Sequence, residues 1–477
     1  MSDDIIVSGG GSVVVASDAI LARVEKVARL SEDFRAGSAE LVGLVGRNGK
    51  AAIPPAGMPP AAAEAGRRIE DAIALLAATG RRAELLYLAL RACLTTYGEG
   101  EQVLTQASRD LSAQFAWLFG RVAPLVVIPV AASLLVDVGI VTLVTGMTPG
   151  QEAKALGDYL GRNNSLLTNP LIVTALRHTV MDVDDFGEGL IGVPPGTAQL
   201  LDRAGILGLP TSAAAIAAIA NRFGLLEESG VTVQRTSVSS TATPPGSLAE
   251  RMARIPDPAT TGGDSRIRID RYSTPGQPDS FDVYVAGTAD FGLKAGGEPF
   301  DMTSNIVGEA QESPASYRAV LDAMQQAGVT PTSPVMLTGY SQGGLVASLV
   351  AASGDYDVKG LVTFGSPSGQ VPIPADIPTL TVRHAEDIVP ATGGYDVNPQ
   401  AVVVERSLFD DQSIPPGEAV PAHGRAYYAQ TAALVDQAQS TEVRAKLDVL
   451  DGFGSGAEST RSTLWLAKRV PATSSGR

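Results

Sequence analysis

The chain has 477 residues, 44% of them apolar, with 36 basic against 51 acidic residues and a net charge of −15. That length predicts two or three domains of ~100–200 residues each. The charge excludes a nucleic-acid binder, which needs a basic footprint, and disfavours anionic lipid surfaces. Cys93 is the only cysteine, so no internal disulfide and no cysteine-based metal site can form. Its apolar helical surroundings, LYLALRACL, predict a small buried side chain.

The opening MSDDIIV is acidic and has no basic stretch followed by an apolar one, so no classical signal peptide is readable. Residues 16–45 carry Ile20, Leu21, Val24, Val27 and Leu30 at helical spacing. A turn-rich break, GRNGKAAIPPAGMPP, separates them from a second helical run over 61–96. Residues 1–110 therefore predict a long antiparallel helical hairpin.

Residues 111–230 predict a further helical region. Its apolar core, 122–147, is long enough to span a bilayer, since about 20 apolar residues suffice. Pro124, Pro129, Gly139 and Asp137 interrupt it, and an Asp at mid-membrane costs ~2.5–3.5 kcal/mol on insertion scales. A helix buried in a large domain explains the same run, so membrane contact through 122–147 stays an open reading. His178 with Asp182, Asp184 and Asp185 reads as a helix histidine beside an acidic loop rather than a metal site.

Residues 231–264 are rich in Ser, Thr and Pro and predict a linker, with an edge strand as the other reading of the β-branched stretch 231–250. From about 265 to 450 strands alternate with helices: IRIDRY, FDVYVAG, a helix near 312–328, VMLTGY, a helix from Ser341, LVTFGS, TLTVRH, VVVERS and a last helix after His423. That alternation predicts an α/β domain with a mostly parallel sheet, preceded by an all-α N-terminal region. The Gly/Ser/Thr-rich 451–477 predicts a disordered tail.

The chemistry concentrates in Gly339-Tyr340-Ser341-Gln342-Gly343-Gly344, a G-x-S-x-G motif between the strand VMLT and the helix LVASLVAAS. Gly339 and Gly343 suit a strand-to-helix turn too tight for side chains. Such a turn strains the serine and exposes its Oγ above the sheet, as in the α/β-hydrolase fold. A serine hydroxyl needs a base, and the base an orienting acid. In that fold they follow in the order Ser, acid, His. Only His384 and His423 follow Ser341. His423 lies on the loop before the last helix and is the expected base; His384 ends a strand and reads foremost as a structural histidine, with lining the site as the other reading. The acid belongs on the loop after the preceding strand, AEDIVP, where Asp387 is chosen over Glu386. Backbone N–H of Gln342, just after the nucleophile, is the first expected oxyanion donor.

AEDIVP and LVTFGSP resemble the acid motif and the strand before it in fungal-type triacylglycerol lipases and their actinobacterial relatives. The resemblance covers roughly 265–435, with no lid helix legible. It implies Ser341 as nucleophile, Asp387 as acid, His423 as base, and Thr288 of Gly287-Thr288 as the second oxyanion donor. Residues 300–305 are expected either to border the substrate or to form a surface loop. The N-terminal hairpin, with Tyr97-x-x-x-Glu101 after its second helix, resembles substrates of the actinobacterial type VII secretion system, although its turn lacks their W-x-G. That resemblance implies export to the cell envelope or beyond, with the secretion machinery as partner; otherwise the chain is cytoplasmic.

These readings predict a serine esterase or lipase acting on ester or lipid substrates, with no metal or cofactor because acyl transfer needs neither. The alternatives are an exported effector lipase acting on neighbouring cells and a non-catalytic interaction protein on a hydrolase scaffold.

Overall fold

A computed structural model of the chain describes residues 5–9, 17–48, 73–81, 164–170, 226–240, 243–257, 264–292, 295–409 and 414–470, with a few more in the helical stretches near 85 and 175. The chain divides into two compact units, Val15–Asp110 and the remainder. The apolar run 122–147, Cys93, the His178 cluster and Tyr97-x-x-x-Glu101 lie outside the described residues. Among the described residues no helix is long and apolar enough to cross a membrane.

The larger unit is built on a nine-stranded sheet. Its strands are β1 (Ile5–Gly9), β2 (Val231–Ser239), β3 (Ile267–Ser273), β4 (Ser280–Val285), β5 (Pro334–Tyr340), β6 (Asp357–Phe364), β7 (Thr379–His384), β8 (Val402–Arg406) and β9 (Ser459–Arg469). They lie in the order β1-β8-β7-β6-β5-β4-β3-β9-β2. The centre, β4 to β8, is parallel throughout. Antiparallel strands flank it: β1 on one side, β3, β9 and β2 on the other. The chain is thus α/β as expected, and the sheet is mixed, with a parallel heart.

Both faces of the parallel strands are buried, which is why they read as nearly continuous apolar runs. Successive side chains point to opposite faces. Val283, Val285, Val335, Leu337 and Leu361 pack on one side with Val320 and Met324 of α4 (Ala315–Ala327) and Leu345, Val346 and Val350 of α5 (Gln342–Ser353). Tyr284, Met336, Val362, Leu380 and Val404 pack on the other. There they meet α2 (Leu248–Arg254), α6 (Arg425–Val435) and α7 (Thr441–Gly452). Each fully buried Val or Leu contributes roughly 1.5–3 kcal/mol. Helix α5 is apolar around its whole circumference because it is enclosed between the sheet, α4 and α3 (Met302–Glu309).

Three expectations are corrected. Residues 231–264 are not a linker: they hold β2 and α2, and of the two readings of 231–250 the edge strand is the one found. β2 is the outermost strand, so its Ser and Thr side chains face solvent while Val231 and Val233 pack inward. Helix α2 buries Leu248 and Met252, with Ile255 just past its end, at helical spacing. The supposed tail holds β9, inserted between β3 and β2, which buries Trp465, Ala467 and Arg469 at alternate positions. Gly454 and Gly456 lie in the turn that enters the strand. Finally, the chain's first residues are not part of a helical hairpin. Ile5–Gly9 pairs antiparallel with β8, so the sheet draws its edge from far upstream of residue 265.

In the smaller unit, α1 (Ser17–Asn48) runs beside helical residues 73–81. Ser31 Oγ donates to the Gly80 carbonyl at 2.8 Å and Ser38 Oγ to that of Ile73 at 3.2 Å. Pairing that descends along one segment as it ascends the other is antiparallel.

Candidate active site

Ser341 sits between the end of β5 and the start of α5 at φ 55°, ψ −127°. A non-glycine residue with positive φ stores strain of about 1–3 kcal/mol, which persists only where the surroundings enforce it. The enforcement is visible at both motif glycines. A Cβ on Gly339 would lie 2.2 Å from the Gly343 carbonyl oxygen, and one on Gly343 would lie 2.1 Å from that of Val285. Neither position has room for any side chain, so the turn closes as tightly as the motif predicts.

The loop after β7 and the turn before α6 bring the other two residues to this serine. His423 Nε2 lies 2.9 Å from Ser341 Oγ. His423 Nδ1 lies 2.7 Å from Asp387 Oδ2. A proton on Nδ1, facing the carboxylate, leaves Nε2 to accept the serine hydroxyl. The Asp387 side chain is 0% exposed and His423 13%, so solvent reaches the histidine and not the acid. The two neighbouring carboxylates are separated by their partners. Asp387 Oδ1 accepts the Val389 N–H at 3.0 Å. Glu386 instead accepts the Ser407 hydroxyl at 2.6 Å and the Leu408 N–H at 3.0 Å, and makes no contact with His423.

His384 is a structural histidine, the first of its two readings. It is fully buried. Its Nδ1 donates to the Ala422 carbonyl at 2.7 Å, and its Nε2 pairs with the Thr431 hydroxyl at 2.8 Å. Burial pushes its pKa down to about 4, so it stays neutral. Its effect is to hold the Pro421–His423 turn from below.

On the opposite side, Gln342 opens α5, and the first N–H groups of a helix have no partner within it. The Gln342 side chain is buried and donates to the Asp301 carbonyl at 2.8 Å. Gly287 lies against the serine: a Cβ there would be 3.0 Å from Ser341 Cβ. Its neighbour Thr288 accepts a hydrogen bond from Asn305 at 2.9 Å. Residues 300–305 are therefore no surface loop. Phe300 and Asp301 are buried, and Asp301 caps α3 through Ser304 N–H at 2.8 Å. Arg469 of β9 pairs with both Asp301 oxygens at 2.9 Å, offsetting the burial that raises this carboxyl's pKa.

Tyr340, Tyr428 and Arg469 escaped the sequence reading. Tyr340 stacks on His423, and Tyr428 donates to Asp387. Tyr428 follows His423 by five residues on α6, a spacing that carries no motif. Among the described residues no group of three or more His, Cys, Asp or Glu side chains is arranged to hold a metal ion. No protein-family model, curated protein or solved structure matches the chain.

Proposed function

We propose that the chain is a serine hydrolase of the α/β-hydrolase type that cleaves carboxylic, including lipid, esters through an acyl-enzyme on Ser341. The observation that carries this reading is the relay from strained Ser341 through His423 to buried Asp387, at 2.9 and 2.7 Å. In the first half-reaction Ser341 Oγ attacks the ester carbonyl carbon and its proton passes to His423 Nε2. Asp387 stabilises the imidazolium so formed. The carbonyl oxygen, now negative, is met by the N–H of Gln342 and by Thr288. Collapse of the intermediate breaks the bond to the alcohol oxygen, which takes the proton from Nε2. In the second half a water gives its proton to His423 and attacks the acyl carbon. The acid leaves, and Ser341 Oγ recovers its proton. Such a base contributes about 10²–10⁴-fold.

A chain-length series of p-nitrophenyl esters tests the reading. Turnover of at least one ester, lost in His423→Gln, supports it; no turnover of any ester by the folded chain counts against it. Export by a type VII-like route is the companion proposal for localisation. The antiparallel contacts of Ser31 and Ser38 support it, and recovery of the protein only from the cytosol of its host would oppose it.

A further inference from the structure

Two donors meet on one oxygen of Asp387. His423 Nδ1 stands 2.7 Å from Oδ2, and the Tyr428 hydroxyl donates to the same atom at 2.6 Å. A fully buried carboxylate resists ionisation unless donors replace the water it has lost. Val389 N–H occupies Oδ1, so Tyr428 is the second donor on this acid that does not belong to the relay.

The phenol is held rigidly. Tyr428 is 0% exposed, and its ring stacks on His384 with centroids 3.9 Å apart. The edges of Tyr340 and Phe364 close in at 5.8 and 6.5 Å. The titratable and charged groups around it are Asp387 and His384 from β7 and its loop, Tyr340 from β5, His423 from the turn before α6, and Arg406 from β8, which donates to Thr431 at 3.1 Å.

We propose that Tyr428 is a positioning residue of this site, whose hydroxyl completes the hydrogen bonding of Asp387, aims it at His423 and draws off part of the charge that the imidazolium feels. The inference rests on the hydrolase reading. Burial, with the adjacent Asp387, pushes ionisation of the phenol far above its ordinary value. It therefore donates at every pH at which the protein is folded and never competes as a base.

Removing the hydroxyl leaves Oδ2 to His423 alone, which strengthens its hold on the protonated imidazole. That moves the acid limb of the pH–rate profile upward, by about one pH unit for one charge-assisted hydrogen bond, or tenfold in kcat/KM on that limb. A tyrosine that only filled space would leave the profile in place when replaced by phenylalanine.

The test is an NMR titration of full-length protein labelled in its histidine rings, wild type against Tyr428→Phe, together with the pH profile of ester turnover. In the variant His423 is expected to titrate about one unit higher than in wild type, with His384 unchanged. An unmoved His423 in a folded variant overturns the proposal. Wild type itself supplies the second measurement: a slowly exchanging Tyr428 hydroxyl proton close to the His423 Nδ1 proton. Its absence also overturns the proposal, whether or not the variant folds. Neither reading needs turnover, so failure of the hydrolase reading shows separately, as wild type that cleaves no ester.

Discussion

Tyr340 donates its phenolic proton to the backbone carbonyl of His423 and lays its ring against the imidazole, with centroids 5.1 Å apart and planes at 20°. The residue just before Ser341 thereby grips His423 through both its backbone and its ring. Tyr340→Phe removes only the hydrogen bond and is expected to lower kcat about tenfold with little change in KM, the worth of roughly one such bond. Tyr340→Ala removes the stack as well and is expected to fall further, towards 10²-fold. Steady-state kinetics on a soluble ester separates these outcomes. An equal loss in both variants would assign the effect to the hydroxyl alone.

Ser341 holds a positive φ that glycine adopts freely. Ser341→Gly is therefore expected to abolish activity while raising stability by about 1 kcal/mol, as the stored strain is released. Denaturant unfolding of the inactive variant checks this. A variant less stable than wild type would mean that the turn is relaxed.

Arg251 and Asp282 form an ion pair with both side chains 0% exposed, at 2.6 Å. Tyr284 also donates to Asp282, at 2.9 Å. Burial raises the pKa of Asp282, and Arg251 opposes the rise. Arg251→Met strands the carboxylate and is expected to cost about 3–5 kcal/mol. Arg251→Met with Asp282→Asn should recover much of that loss, because no uncompensated charge remains. Equal losses in the single and double variants would argue against charge as the cause.

Glu309 supplies a pH dependence. Burial raises its pKa to about 7, against a lowering from Thr392, which donates to it at 3.2 Å. From its ordinary value of 4.5 up to about 7 the folded chain holds a proton that the unfolded chain has released. Glu309 therefore subtracts stability as pH rises through that window. His384, pushed down to about 4, acts in the opposite sense: its contribution is complete above its unfolded value of 6.5 and is lost as pH falls towards 4. Glu309→Gln should match wild type near pH 4.5 and exceed it by roughly 1–3 kcal/mol above pH 7. Thermal melts across that range measure the difference. A gain of equal size at both ends would rule out titration as its source.

The turn at Ser341 and its neighbours His423 and Asp387 were more legible in the sequence than the margins of the sheet. Gly339 and Gly343 revealed the turn because only glycine fits there. Scarcity of histidine left two candidates for the base, and motif order separated His423 from His384. What His384 does was not legible: it depends on the carbonyl of Ala422 and the hydroxyl of Thr431, ordinary groups that only folding brings together. Tyr428 escaped for the same reason. The sheet's margins misled through composition. β2 and β9 carry Ser and Thr because outer strands show one face to water, and β1 is only five residues long. Such strands gain stability from partners distant in the chain, and local patterning cannot register those partners.

The central claim concerns Ser341 Oγ, and covalent labelling reads it directly. A fluorophosphonate probe needs only an activated serine beside its base and does not depend on guessing the substrate. Intact-mass measurement of the folded chain is expected to show a single adduct, mapped to Ser341 by peptide analysis and absent from Ser341→Ala and His423→Gln. A folded wild-type chain left unmodified by excess probe, or labelled equally well in Ser341→Ala, would contradict the assignment.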